Sequence, residues 1–268
     1  MPTPTRVPTL LYHDVVDDAR WSASGFQGGD ADIYKLETQE FVTHVERLHA
    51  SGRSAVRVDA PQIDAASHFV FTFDDGGVSA IERIAPALER FGWYGHFFMT
   101  TGWLGAPGFL GAEQLRELSA RGHVVGSHSD THPLRMSSCS PRQLLREWTT
   151  SVERLADLLG EQPTVASIPG GAFSMAVAEA AARAGIRVLF TSEPTARPWH
   201  VGDVTCYGRF TVWRGMSADK AVALASGRYR ETLNQRIAWD TKKVAKVLLG
   251  GTYQRLRRRL LHGESPRI

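Results

Sequence analysis

The chain has 268 residues, of which 43% are hydrophobic and 22% charged, with a net charge of +3. This is the composition of an ordinary globular protein of one or at most two domains, ample for a sizeable core. No apolar run is long enough to span a bilayer, two cysteines give no disulfide framework, and the mild positive charge is not by itself a nucleic-acid signal.

Residues 7–12 read as a first strand that ends in His13-Asp14. Residues 21–34, rich in Gly, Ser and Asp with three aromatics, read as a long loop, either disordered or a substrate-facing flap. Thr38 is expected to cap a helix with Phe41, Val45 and Leu48 on one face, ended by Gly52. Residues 69–73, Phe-Val-Phe-Thr-Phe, predict a buried strand that runs straight into Asp74-Asp75-Gly76-Gly77. Ser79 and Glu82 predict a capping box for a helix burying Ile81, Ile84, Leu88 and Phe91, with Pro86 bending it. A strand over 94–99 and a helix over 111–121 follow. Val124-Val125 predicts a brief strand delivering His128 and His132. Ser140-Pro141 opens a long helix closed by Gly160, with Leu144, Trp148, Val152 and Leu155 inward. A strand over 164–168, a helix over 174–184 and a strand over 186–190 complete the alternation. This is the spacing of βα units and predicts a parallel sheet, open or closed. Chemistry in such sheets sits beyond the carboxyl ends of the strands, where Asp74, Asp75, His128, Pro169 and Glu193 all fall.

Two adjacent aspartates at a buried strand end repel each other and are costly to bury. A cation relieves both problems. His128 and His132 lie four apart, so a helical turn or a compact loop can converge them. Two imidazoles and one carboxylate are an open, catalytic ligand set for zinc or a neighbour such as cobalt or nickel. One divalent metal ion is therefore expected.

Thr72-Phe-Asp-Asp-Gly76 and His128-Ser-Asp-Thr-His-Pro133 resemble the first and second motifs of the polysaccharide deacetylase family, the NodB-homology domain of carbohydrate esterase family four. The resemblance runs from about residue 9 to about residue 214. It implies an α/β fold, a distorted (β/α) barrel over 1–215, followed here by a basic helical extension over 216–268. It implies Asp74 as catalytic base and Asp75, His128 and His132 as metal ligands. Three motifs depart from the family pattern. The third, Ser167-Ile-Pro-Gly-Gly171, has serine where the family places an arginine that steers the base, although Pro169 and Gly170 match and the Gly170 amide is a candidate oxyanion donor. The fourth is replaced by Thr191-Ser-Glu193-Pro194, with Glu193 as the nearby carboxylate. The fifth has no histidine, and the strand over 209–214 offers Arg209 and Arg214 as spatial substitutes for the missing arginine. His13 is then the first candidate for general acid, ahead of His200 and of Asp74 in a double role.

The expected activity is removal of N-acetyl groups from an amino sugar in a bacterial polysaccharide, an exopolysaccharide or its lipid-linked precursor. An O-acetyl esterase and a catalytically impaired carbohydrate-binding relative are the alternatives. Lys242, Lys243, Lys246, Arg255, Arg257, Arg258 and Arg259 interleave with apolar residues in the tail. That pattern fits peripheral contact with an anionic membrane or a helix packed on the barrel. With no apolar h-region at the N-terminus, a cytoplasmic location, on the inner membrane face, is expected. No nucleic-acid partner is expected.

Overall fold

The computed structural model describes residues 6–60, 62–228 and 230–241. The first strand, β1, is Thr9–Tyr12. Val15–Val16 (β2) and Leu36–Glu37 (β3) pair in parallel as a small separate sheet, with the short helix α1 (Gly29–Asp32) in the loop between them. Helix α2 (Thr38–Ala50) buries Phe41, Val45 and Leu48, as its periodicity requires. Ser54–Ala55 (β4) lies beside His68–Phe73 (β5), the apolar run before the aspartates. A π-helical turn, Ala80–Ile84, leads into α3 (Ala85–Glu89). Pro86 opens that helix and lacks the N–H that an interior helical residue would donate. Next come β6 (Gly95–Met99), α4 (Ala112–Ala120), β7 (Val124–Ser127) and α5 (Pro141–Leu159). They are followed by β8 (Val165–Ser167), α6 (Met175–Arg183) and β9 (Val188–Phe190). The antiparallel pair β10 (Trp199–Val201) and β11 (Val204–Tyr207), then β12 (Phe210–Thr211) and α7 (Ala218–Ala225), complete the named elements.

Ten strands form one sheet in the order β10-β11-β9-β8-β7-β6-β5-β1-β12, with β4 on β5. Every pairing is parallel except β10 with β11, so the connections cross over through helices, and the sheet curls into a half-barrel. This fits the distorted (β/α) barrel that the motif resemblance implies, left open among the described residues. Its core holds an aromatic stack: Phe71 on Phe73 at 5.8 Å and Phe73 on Phe97 at 4.9 Å. The stack makes the wall beneath the aspartates rigid.

Past residue 215 the chain stays in the same core: Met216, Leu224 and Ala225 are buried with the β1–β5 cluster. A further helix occupies 230–241. The basic tail expected over 236–261 begins in this helix, and its residues from 242 onward lie outside the described residues.

Two expected helix caps are corrected. Thr38 does not cap α2; its hydroxyl bonds Asp17 instead. Ser79 makes no capping box, because its hydroxyl turns inward to Asp14 Oδ1 at 2.7 Å. A buried carboxylate is a stronger acceptor, and its need for donors overrides the local cap. Ser140 caps α5 as expected, accepting from the Gln143 amide, and Gly160 ends that helix in a left-handed conformation.

Candidate active site

The two aspartates leave β5 by a sharp turn. Asp75 has φ 80° and Gly76 φ 86°, both in the left-handed region that a side chain resists. At Gly76 a Cβ would stand 3.0 Å from Met99 Sδ and 3.3 Å from its Cα, so the turn needs glycine. The two side chains thereby enter different surroundings.

Asp74 is gripped by Arg209. Nη1 reaches Oδ1 at 2.7 Å and Nη2 reaches Oδ2 at 2.8 Å, a bidentate fork. Arg209 is wholly buried; its Nε donates to Thr191 O at 2.8 Å, and the guanidinium lies over Phe98 and Phe190. Burial pushes the Asp74 pKa upward, but Arg209 and His128 outweigh it and hold the carboxyl well below the usual range. The guanidinium against Asp74 thus comes from Arg209, where the third motif has a serine. Arg214 lies elsewhere, over the Trp21 ring at 4.1 Å.

The serine standing in the third motif is itself engaged. Ser167 Oγ donates to Asp74 Oδ1 at 2.9 Å, and His128 Nδ1 faces both Ser167 O, at 3.1 Å, and Ser167 Oγ. The consistent assignment has Nδ1–H donating to Ser167, which leaves the Nε2 lone pair toward Asp75. His128 Nε2 and His132 Nε2 stand 3.5 and 3.6 Å from Asp75 Oδ1. The donor atoms of Asp75, His128 and His132 all lie within 4.8 Å of one another.

Burial lowers the pKa of both histidines, His128 to about 3, so neither cancels the Asp75 charge. Burial, then Asp74 and Asp14, raise the Asp75 pKa well above its ordinary value. Two neutral imidazoles whose Nε2 atoms face a carboxylate disfavoured as a lone anion are the donor set a divalent cation satisfies. The residues present therefore fit a metal.

The Pro169–Gly171 turn places Gly170, exposed and left-handed, beside the chain that follows His132: a Cβ there would lie 3.6 Å from Leu134 O. Glu193 takes part through its backbone, its carbonyl accepting the amides of Arg209 and Thr195.

His13 stacks on Tyr34 at 4.9 Å, and its buried Nδ1 has no hydrogen-bond partner among the described residues. Burial lowers its pKa to about 4; Asp74 acts to raise it, while Arg209, His132 and Lys35 add to the lowering. His13, Asp14 and Asp74 line one small cavity.

Asp14 escaped the sequence reading. Its Oδ1 accepts from Ser24 and Ser79 at 2.6 and 2.7 Å, and Ser24 Oγ accepts the Ser79 amide at 2.9 Å. This ties the 17–35 loop to the site and lets Phe26 meet the His132 ring at 4.8 Å. Its adjacency to His13 at a strand end was the available signal.

A sequence model of the family described as polysaccharide deacetylase matches residues 63–189, the segment that contains both aspartates and both histidines. Residues 63–189 thus form a polysaccharide deacetylase domain. YxkH of Bacillus subtilis (strain 168), which carries the provisional name of a polysaccharide deacetylase, is 25% identical over 237 residues, covering 86% of this chain and 78% of YxkH. The Streptococcus pyogenes deacetylase PplD, solved with acetate, superposes with a TM-score of 0.67 at 18% identity over 81% of this chain and 96% of PplD. A de-N-acetylase from Aggregatibacter actinomycetemcomitans superposes at 0.63 with 21% identity over 76% of this chain and 94% of that one. At these identities the structural likenesses establish the fold. For this polysaccharide deacetylase, family and fold support a hydrolase that removes acetyl groups from carbohydrate.

Proposed function

We propose that this polysaccharide deacetylase is a metal-dependent de-N-acetylase acting on an acetylated amino sugar of a glycan or a lipid-linked saccharide. One observation carries the reading: a converging Asp75–His128–His132 ligand set lies beside an aspartate that a buried arginine keeps ionised.

Asp75, His128 and His132 would hold one divalent ion, zinc or cobalt or nickel. When bound, such an ion lowers the pKa of a water and polarises the acetyl carbonyl. Asp74 accepts the proton of the attacking water on its carboxylate. Arg209 fixes that carboxylate in orientation and keeps it unprotonated between turnovers. The Gly170 amide donates to the developing oxyanion. Leaving as an amine requires a proton, and His13 is the proposed donor. It is neutral at rest, so it acts only after taking up the proton that Asp74 has received. Glu193 is proposed to support this wall by anchoring Arg209.

Acetate release from N-acetylated and O-acetylated saccharides, measured before and after chelation and on adding back zinc, cobalt or nickel, tests the reading. Release from the N-acetylated substrate that depends on metal supports it. Preference for the O-acetylated substrate identifies an esterase, metal-independent release refutes the metal, and binding without release identifies a non-catalytic relative.

A further inference from the structure

The loop that carries both histidine ligands is held in a conformation its residues do not favour. Ser129 and His132 have φ of 63° and 57°, and neither is glycine. Left-handed L-residues persist only where their surroundings over-determine them. Here the surroundings are one face of α5. Glu147, nearly buried, aims its carboxylate into the loop: Oε2 accepts the amides of Asp130 at 3.1 Å and Thr131 at 2.8 Å, and Oε1 accepts the Thr131 hydroxyl at 2.6 Å. One turn on, Ser151 Oγ meets Ser127 Oγ at 2.7 Å, and Ser127 Oγ accepts the Ser129 amide at 3.1 Å. One turn further, Arg154 Nη1 grips Asp130 Oδ1 at 2.6 Å. Positions 147, 151 and 154 share a helix face. They form a polar stripe in a helix that otherwise buries Leu144, Trp148, Val152 and Leu155.

We propose that Glu147, with Arg154, is a positioning residue for the metal site: it fixes the backbone between His128 and His132 so that both Nε2 atoms face Asp75. Burying a carboxylate with no cation among its bonding partners is worthwhile only when several donors converge on it, and three do. The proposal rests on the metal reading of Asp75, His128 and His132, but its backbone part stands without it.

The test combines two measurements on the full chain. The first is hydrogen–deuterium exchange of the segment 128–132 in metal-free protein. The second is zinc affinity by competition with a chromophoric chelator. In E147A, exchange at 130–131 should accelerate and zinc affinity fall by about 10–100-fold, the usual loss when support of a ligand shell is removed. E147Q should recover most of both: its amide oxygen can accept the two backbone amides while its nitrogen donates to the Thr131 hydroxyl, which can turn. A charge-only or nonspecific structural role does not predict that recovery. E153A, on the exposed face of α5, is the control. Should E147A not fold, R154M, altered at a half-exposed side chain, carries both measurements. Unchanged exchange and zinc affinity within about twofold of wild type, in whichever of these variants folds, overturn the proposal, because support of a metal shell is worth more than that. If wild-type protein binds no zinc, the metal reading fails, and the exchange measurement still decides whether Glu147 fixes the loop.

Discussion

Asp74 and Asp75 are adjacent carboxylates with opposite fates, and the left-handed turn at Asp75 separates them. Asp74 faces a guanidinium; Asp75 faces two imidazoles. Replacing Arg209 by Met should leave Asp74 as an unpaired buried charge, at a cost of about 3–5 kcal/mol, measurable by denaturant unfolding. The pH dependence follows from the same pair. The Asp74 pKa is lower folded than unfolded, so below its ordinary value of about 3.9 the unfolded chain binds more protons. The pair's stabilisation is therefore complete above that pH and lost as pH falls through the folded pKa. R209M should flatten this acid limb of the stability curve. D74N should keep the metal and lose about 10²–10⁴-fold in turnover, since an amide cannot accept the proton. H13N should lower turnover on the N-acetyl substrate more than on an O-acetyl one, because an alkoxide leaves with less help from an acid. Equal losses on both substrates would remove His13 from the proton path.

At the scale of elements, the strands and helices that carry the site follow from local pattern. The aromatic run before the aspartates is a strand because it is β-branched, aromatic and bounded by turn residues, and α5 is a helix because its apolar positions repeat on one face. The Ser140 cap is legible for the same reason: donor, acceptor and Pro141 are neighbours in sequence. Ser140→Ala should cost about 1 kcal/mol by thermal denaturation, the worth of one N-cap hydrogen bond. Ser79 defeats the same kind of reading. Its partner, Asp14, is distant in sequence, and a buried acid outbids a helix amide. Glu147 also reads as an ordinary helix residue until the tertiary structure brings the histidine loop onto it. Long-range polar contacts of this kind leave no periodicity behind.

At the scale of the molecule, the half-barrel gathers strand ends from β1, β5, β7 and β8 onto one rim, and Arg209 comes from just before β12, the neighbour of β1. Among the described residues no helix is long and apolar enough to cross a membrane. Peripheral contact through the basic tail over 236–261 stays a proposal, and most of that tail lies outside the described residues. With each Lys or Arg near an anionic surface contributing about 1 kcal/mol, the full chain should sediment with anionic vesicles, less with neutral ones, and release with salt. Equal sedimentation with both, or no loss on truncation at residue 236, would refute it. The sequence by itself determined the fold class, and it singled out Asp74 as candidate base and Asp75, His128 and His132 as candidate metal ligands, because those residues sit in short contiguous motifs at strand ends. It narrowed the missing arginine to Arg209 or Arg214 without choosing. Only the tertiary structure could choose, because the β1–β12 pairing sets which guanidinium enters the site, and burial beside Asp74 sets its charge. The same holds for Ser167, Asp14 and Glu147. Their roles are hydrogen bonds between segments far apart in the chain, and such bonds exist only after the sheet has curled.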